Sequence, residues 1–260
     1  MKELKREKTA DTFYEELQSR FSKLLKEYGI EEKEIQIAVK SLSPQEAIGI
    51  TKRKDYPILT GKDIMIQAVC EGCCGQAFTD APSNFKGTLA EIAAMDIFND
   101  PHAKGLFIAA LNAVLKYLGL VDCTVHCRNG APEFCAQDAV AWIKENYGNP
   151  RIVQIGFQPA LLEHLSKEFE VRVFDLNPDN IGTVRYGVPV EDGADFTKKN
   201  LDNVDLILCT GSTICNGTIV NFLDLDKDVR FYGTTLAGAA YLMNLPRLCF
   251  ADRYQKESQN

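Results

Sequence analysis

The sequence predicts an α/β protein in which a small α+β part precedes a parallel, doubly wound sheet. Three observations predict this class: an early amphipathic helix followed by short strands, a later alternation of apolar strands with helices, and small polar residues after each later strand. A chain of 260 residues is long enough for two small domains. We expect a front domain over residues 1–120 and a Rossmann-like ligand-binding domain over residues 121–260, with the boundary in the irregular stretch 121–132.

The front part begins with a helix and continues with short strands. Apolar residues recur every three or four positions over residues 11–28, which predicts one helix face, and Gly29 is a typical helix end. Apolar and polar residues then alternate over residues 35–39, as in a half-buried strand. Further short strands are expected at residues 47–50 and 64–70, so this part should form a small sheet.

Two helices are expected to cover the front sheet. Thr88 and Glu91 have the spacing of a capping box, in which each residue satisfies a free N–H at the start of a helix. Asp100 followed by Pro101 gives a second start signal, since proline fits the first helical position. The second helix should therefore run over about residues 101–118.

The pattern changes after a helix expected near residues 137–147. Short apolar segments of strand length now alternate with helical patterns, which predicts parallel strands joined by right-handed crossovers. The predicted strands are residues 151–157, 170–175, 204–209, 229–232 and 247–250. One of the intervening helices is expected at residues 219–225.

The segments that follow these strands are the candidate ligand site, because ligands of doubly wound sheets bind beyond the carboxyl ends of the strands. The residues there are small, polar or turn-forming: Gly156, Phe157, Gln158, Asp175, Thr210, Gly211, Ser212, Thr213, Asn216, Gly217, Thr218, Gly233, Thr234 and Thr235. Capping and turn formation alone explain such residues at many junctions. Residues 210–218 are richer than capping requires, and free N–H groups at a following helix start would bind a small anion.

Asp175 narrows the choice of ligand. It lies 19 residues after Gly156, close to the spacing at which an acidic residue binds ribose hydroxyls in dinucleotide-binding folds. The segment after Gly156 lacks the second and third glycines that admit a pyrophosphate, which disfavours an ordinary NAD dehydrogenase. S-adenosylmethionine needs no pyrophosphate cradle and stays open as a cofactor.

The chain has nine cysteines, and four of them are candidate ligands of a transition metal or an iron–sulfur cluster. Cys70, Cys73 and Cys74 form the densest group, which converges only if the chain turns at residues 71–72. Cys127 belongs to a second group with Cys123, His126 and Cys135. Buried packing and a redox pair of Cys70 with Cys73 are the alternatives. Cys209 and Cys249 are expected in the core, and Cys215 is expected to be reactive if a helix start lowers its pKa.

Charge and apolar patterning exclude several classes of partner. A formal net charge of −7 without a basic stripe argues against nucleic acid, and the basic residues 52–54 are expected to form a solvated turn. No stretch is apolar enough to span a bilayer, and no secretory signal opens the chain, so a cytoplasmic protein without a membrane partner is expected. Dimerisation of identical chains is the base expectation. No catalytic motif is present, and catalytic residues stay unassigned.

The segments 210–218 and 233–240 resemble motifs of a prokaryotic family labelled "putative heavy-metal chelation". Residues 87–91 and 110–113 resemble its front-domain segments. The resemblance implies an enolase-N-terminal-like α+β domain followed by a Rossmann-like domain. It implies a metal-handling role by label alone and assigns no metal ligand to Cys70, Cys73 or Cys74.

Three functional hypotheses stay open at this point. The first is a protein that binds a small anionic or adenosyl-containing ligand in the C-terminal domain and handles a metal. The second is an enzyme that depends on S-adenosylmethionine or a nucleotide. The third is a metal carrier without turnover.

Overall fold

The computed structural model describes residues 10–39, 53, 55 and 64–255. The strand expected at residues 47–50 lies outside these residues. None of the described helices combines the length and the apolar character that crossing a bilayer requires.

The front part contains a four-stranded antiparallel sheet with the strand order β3-β2-β1-β4. The strands are β1 (Glu34–Val39), β2 (Ile64–Cys70), β3 (Cys73–Thr79) and β4 (Phe85–Thr88). Helix α1 (Ala10–Tyr28) precedes the sheet, and its buried apolar face includes Phe13, Leu17 and Phe21. The predicted helix α1, the half-buried strand β1 and the bounds of β2 are confirmed. Strands β3 and β4 were not predicted from the sequence.

Helices α2 (Leu89–Ala93) and α3 (Pro101–Tyr117) follow β4. The Thr88 and Glu91 capping box is present at the start of α2, and Asp100 caps α3 through the N–H of His102. Both start signals are therefore confirmed.

The second sheet has seven strands in the order β11-β10-β9-β5-β6-β8-β7. The strands are β5 (Ile152–Ile155), β6 (Val171–Asp175), β7 (Val184–Arg185), β8 (Val188–Asp192), β9 (Leu206–Thr210), β10 (Asp228–Tyr232) and β11 (Arg247–Leu248). All are parallel except β7, which pairs antiparallel with β8. Without β7, the chain order of the strands is that of a Rossmann sheet, 3-2-1-4-5-6, which confirms the predicted class.

The helices of this part are α4 (Ala131–Tyr147), α5 (Pro159–Ser166), α6 (Ala237–Met243) and α7 (Asp252–Gln255). The helix expected at residues 219–225 is instead a 3₁₀ helix, Thr218–Phe222. Gly217 precedes it with a φ of 83°, and Leu223 after it is extended, so the segment is too short to continue as an α-helix.

Helix α3 packs against the front sheet on one side and against α6 of the Rossmann-like part on another. The main cluster of buried apolar side chains contains residues from α1, α3, the front sheet and the Rossmann-like sheet. Backbone approaches α3 closely on two sides: a Cβ added to Gly75 would lie 2.1 Å from the Ala113 nitrogen, and one added to Gly238 would lie 2.8 Å from Leu111 Cγ. The two predicted domains thus share a core, and their boundary stays a prediction.

Asn112 is a fully buried polar residue on α3. Its Nδ2 donates to the carbonyl oxygens of Gln76 at 2.9 Å and Thr235 at 3.0 Å, and a third acceptor, Thr234 O, lies at 3.3 Å. Its Oδ1 accepts from the Gly238 nitrogen at 2.7 Å. One amide therefore connects β3 to the turn after β10 and to the start of α6.

Of the basic residues 52–54, which were expected to form a solvated turn, residues 52 and 54 lie outside the described residues, and Arg53 is not solvated. Its side chain is only 13% exposed, and its guanidinium donates to Glu133 at 2.6 Å and to Glu163 at 2.5 Å. It also donates to the Tyr186 hydroxyl at 2.5 Å. The Arg53 side chain is thereby held against α4, α5 and the turn between β7 and β8.

Replacing Asn112 tests the connection between the sheets. We expect Asn112→Ala to lower the free energy of unfolding by about 2–4 kcal/mol, because buried backbone groups of β3 and α6 lose their partner. Urea unfolding followed by circular dichroism measures the change. Asn99→Ala is the control, since Asn99 is exposed, and it should stay within about 0.5 kcal/mol of wild type. Equal stability of both variants would contradict the assignment.

The Arg53 ion pairs predict a loss of stability in acid. Hydrogen bonds from Lys167 and Arg53 lower the pKa of Glu163 from 4.5 to about 2. A lowered folded-state pKa means that the pairs stabilise the fold above pH 4.5 and lose this effect as the pH falls towards 2. We expect Arg53→Met to lower stability by roughly 1–3 kcal/mol at neutral pH, with the difference from wild type shrinking in acid. Urea unfolding across this pH range checks it, and a constant difference would contradict the role of Arg53.

Candidate functional site

A cavity of about 650 Å³ lies beyond the carboxyl ends of β5, β6, β9 and β10. Strands β5 and β9 are neighbours in the sheet, but their chain connections run in opposite directions across it, so the cavity sits at the topological switch point. The volume falls within the range of about 300–1,000 Å³ typical of small-molecule sites.

Thirteen of the fourteen predicted ligand residues line this cavity. They are Gly156, Phe157, Gln158, Asp175, Thr210, Gly211, Ser212, Thr213, Asn216, Thr218, Gly233, Thr234 and Thr235. Gly217 is not part of the lining, and a Cβ added to it would lie nearest to Lys104 Nζ, at 3.8 Å. The site is brought together from four separate strand ends because parallel strands present their carboxyl ends at one edge.

Asp175 is fixed at the end of β6 by backbone N–H groups. Its Oδ2 accepts from the Phe157 nitrogen at 2.6 Å, and its Oδ1 accepts from the Asn177 nitrogen at 2.6 Å. Each carboxylate oxygen can accept more than one hydrogen bond, so Asp175 keeps acceptor capacity for a ligand hydroxyl or amine. Asp175 thereby also links the carboxyl end of β6 to the segment that follows β5.

The start of α5 differs from a pyrophosphate cradle. Pro159 has no N–H, and Gln158 uses its own side chain to accept from the Leu161 nitrogen. The Leu162 nitrogen donates to the Gln158 carbonyl at 2.9 Å. Few donors are left for a phosphate, which agrees with the absence of the glycine fingerprint.

The 210–218 segment likewise satisfies many of its own N–H groups. The Cys215 nitrogen donates to Ser212 O at 3.0 Å, and the Thr218 nitrogen donates to Asn216 Oδ1 at 3.0 Å. The Ser212 nitrogen donates to Thr210 Oγ1. The helix start expected at residue 219 is here the five-residue 3₁₀ helix Thr218–Phe222, and a four-residue 3₁₀ helix, Gly211–Ile214, precedes it. The dipoles of such short helices are correspondingly weak.

Aromatic rings form one wall of the cavity. Phe174 and Phe196 pack edge to face with ring centroids 5.1 Å apart, and Phe196 lies 5.3 Å from Phe222. All three side chains line the cavity. Such a wall suits a flat, apolar group such as a nucleobase.

Thr234 is the polar group of the lining that most directly indicates a ligand. Its side chain is 4% exposed, and within the described part of the chain its Oγ1 has no hydrogen-bond partner. A buried hydroxyl without a partner costs free energy, and native proteins rarely tolerate one without a reason. Thr234 is among the residues that line the cavity, so this hydroxyl lies next to the space that a ligand would fill.

The predicted metal residues Cys70, Cys73, Cys74 and Cys127 are not brought together. The expected turn at residues 71–72 is present, with φ of 48° at Glu71 and 77° at Gly72, and it places Cys70 opposite Cys73 in a β-hairpin. Cys74, the next residue on β3, points to the other face of the sheet. Cys127 lies instead on the cavity wall.

A different set of thiols is adjacent in space. The Cys249 sulfur is within hydrogen-bonding reach of the Cys123 and Cys135 thiols, and Cys135 also reaches Cys127. We call Cys123, Cys127, Cys135 and Cys249 the thiol group. Its members Cys127, Cys135 and Cys249 line the cavity, so the expectation of a core position for Cys249 was wrong.

Cys209 and Cys215 do not have the character of reactive thiols. Cys209 is buried as expected. Cys215 is also buried, and burial raises its pKa to about 12, which is the reverse of the activation considered from the sequence.

As the side chains stand, no three His, Cys, Asp or Glu residues within the described ranges surround a point that would hold a metal ion. The thiol group is therefore a chain of neighbouring sulfurs and not a formed coordination sphere.

Comparison with known proteins confirms the family resemblance and leaves the activity open. The model of the family DUF364, described as "Putative heavy-metal chelation", matches residues 138–239. A protein of unknown function of that family from Pyrococcus horikoshii is 21% identical, with a TM-score of 0.52, over 84% of this chain and 79% of that chain. A second, from Desulfitobacterium hafniense, is 12% identical with a TM-score of 0.48, over 70% of this chain and 72% of that one. No curated protein matches the chain.

Thr234→Val separates a ligand-directed hydroxyl from a structural one. We expect this variant to be as stable as wild type or slightly more stable, because the hydroxyl that is removed has no partner. Thr213→Val is the matched control: Thr213 is equally buried, but its Oγ1 donates to Thr210 O at 2.7 Å. The control should lose about 1 kcal/mol in urea unfolding. An equal loss in both variants would show that the Thr234 hydroxyl serves the fold.

Proposed function

We propose that the protein binds a small nucleoside-type molecule, such as an adenosyl compound, in the cavity at the strand ends. The observation that carries this proposal is the position of Asp175. It stands at the end of the second strand of a Rossmann-like sheet, beside a cavity of ligand size. In this architecture that position binds ribose hydroxyls.

The chemistry of the lining supports a ligand with a flat apolar part and a few hydroxyl or amine groups. The wall of Phe174, Phe196 and Phe222 offers stacking surface. Asp175 accepts hydrogen bonds, and the Thr234 hydroxyl both donates and accepts. These polar groups would orient a ligand that the aromatic wall holds.

The charge of the lining favours a neutral or cationic ligand over the anion considered from the sequence. Among the described residues that line the cavity, none is lysine or arginine, and Asp175 is the one carboxylate. A phosphate would meet a negative charge there without a compensating cation. The adenosyl alternative therefore has more support than the anion.

An enzyme that uses S-adenosylmethionine is the second candidate. The ribose of this cofactor suits Asp175. Its positive charge at sulfur and its lack of a phosphate suit a lining whose described residues include one carboxylate and neither lysine nor arginine. Binding and turnover are separate questions, so the first experiment is a binding measurement.

Asp175→Asn tests the proposed anchor. We expect wild-type protein to bind S-adenosylmethionine, S-adenosylhomocysteine or adenosine in calorimetric titrations, and the variant to bind about 10–100-fold more weakly, because a hydrogen bond to a charged acceptor is lost. Asp195→Asn is the control, as Asp195 is exposed and lies outside the lining. Its affinity should match wild type.

Thr234→Val is a second cavity variant, which is needed because Asp175→Asn could weaken binding by destabilising the fold. Since Thr234→Val should leave the fold intact, its weaker binding would reflect the cavity alone. The proposal fails if no adenosyl compound binds the wild type, or if both cavity variants bind as tightly as the control.

A further inference from the structure

Cys70 and Cys73 face each other at the end of the β2–β3 hairpin. They are directly paired residues of the two antiparallel strands, and the turn between them has a φ of 48° at Glu71 and 77° at Gly72. Positive φ at both turn residues is typical of a type I′ turn, whose twist matches that of the strands. Because directly opposite residues of an antiparallel pair share one face of the sheet, both cysteine side chains lie on the same side.

This pairing brings the two cysteines within the range of a disulfide bond. The residues that flank a two-residue turn form a hydrogen-bonded pair, in which the Cα atoms are about 5.5 Å apart. Disulfides usually join Cα atoms that are about 4.4–6.8 Å apart. The Cβ atoms of opposite residues are about 4.5–5.5 Å apart, slightly more than the mean of about 3.8 Å in a disulfide. A bond here therefore needs a small approach of the strands, and such a bond is more readily reduced than a relaxed one.

The face that carries this pair packs against α3. Gly75 lies two positions after Cys73, on the same face, and a Cβ added to it would lie 2.1 Å from the Ala113 nitrogen. Cys70 is fully buried, whereas Cys73 is half-buried at the hairpin end. A small reagent from solvent therefore has readier access to Cys73 than to Cys70.

Cys74 does not compete for either partner. It follows Cys73 directly on an extended strand, so its side chain points to the opposite face. Its cross-strand neighbour is Val69, and its sulfur accepts from Gln67 Nε2 at 3.5 Å. The backbone of the hairpin thus places Cys70 and Cys73 on one face and Cys74 on the other.

The hairpin is held in this geometry by contacts from outside its two strands. Lys33 Nζ lies 2.9 Å from Glu71 Oε1 at the turn. The Thr124 hydroxyl donates to the Cys74 carbonyl at 2.7 Å. Two groups that are already positioned react with each other at a high effective concentration. This arrangement favours a bond between the two cysteines over a bond from either one to a small thiol.

We propose that Cys70 and Cys73 are a redox-active dithiol, which a small organic disulfide oxidises to an intrachain disulfide. The Cys73 thiolate attacks one sulfur of the small disulfide, whose S–S bond breaks, and one small thiolate leaves. The Cys70 thiolate then attacks the Cys73 sulfur and expels the second small thiolate. The two cysteines lose two electrons and two protons in total, and the small disulfide gains them as two thiols.

Equilibration of the reduced protein with glutathione disulfide tests this proposal. Trypsin releases residues 63–86 as one peptide, whose cysteines are Cys70, Cys73 and Cys74, so mass spectrometry reads the hairpin apart from the other thiols. Iodoacetamide blocks the thiols that remain after oxidation. We expect the reduced peptide to carry three blocked cysteines and the oxidised peptide to carry only that of Cys74. Dithiothreitol should restore all three.

Three single variants assign the bond. Cys73→Ser should leave the peptide reduced, because Cys70 is buried. Cys70→Ala should stop at the mixed disulfide, with glutathione on Cys73; alanine is chosen because it places no new hydroxyl in the core. Cys74→Ser is the matched control, which changes a half-buried thiol of the same strand, and it should form the disulfide as wild type does.

The wild-type measurement stands whether or not each variant folds. A wild-type peptide that keeps three blockable cysteines, or that retains glutathione on Cys73, would overturn the proposal. A disulfide that persists in Cys70→Ala or is lost in Cys74→Ser would overturn it as well.

The dithiol and nucleoside proposals fail independently, because the cavity lining includes neither Cys70 nor Cys73. Asp175→Asn should form the disulfide as wild type does. Loss of the disulfide in the Cys70 and Cys73 variants would support the dithiol even if no adenosyl compound binds.

Discussion

The buried amide of Asn112 is the interaction on which the arrangement of the molecule depends. It joins a strand of the front sheet to the turn of Thr234 and Thr235 and to the first residues of α6. That turn also borders the cavity. A buried amide is stable only when its donors and acceptor are all used, so this contact fixes the front sheet against the strand ends in a single orientation.

Two chemical surfaces meet at the cavity as a result. The strand ends contribute Asp175, small hydroxyl residues and an aromatic wall, while the segments around α4 contribute sulfur and imidazole. The first surface is the one on which the proposed nucleoside ligand depends, since it combines stacking area with hydrogen-bonding groups. Their proximity follows from the Rossmann-like topology on one side and from the hydrogen bonds of Gln76 and Arg247 on the other.

Much of the fold was predictable because local patterns and tertiary burial agree. The sequence correctly predicts the helix face of α1 and the alternating residues of β1. It also correctly predicts the apolar strands β5, β6 and β9. Strand β8 was missed because Pro189 and the acidic residues at its end weaken the apolar pattern of a strand near the sheet edge. The helix expected at residues 219–225 is a short 3₁₀ helix because the backbone is left-handed at Gly217 and already extended at Leu223, which leaves too few residues for an α-helix.

The sequence by itself determined the sheet class and the strand-end residues of the cavity, because residues that follow parallel strands must share one edge. Only the tertiary structure decided which cysteines are neighbours. Adjacent positions on β3 place Cys73 and Cys74 on opposite faces, whereas Cys135 and Cys249 meet across more than a hundred residues. Spacing in the sequence groups Cys123, Cys127 and Cys135, but contacts between distant segments have no local pattern, so only the folded chain adds Cys249 to them.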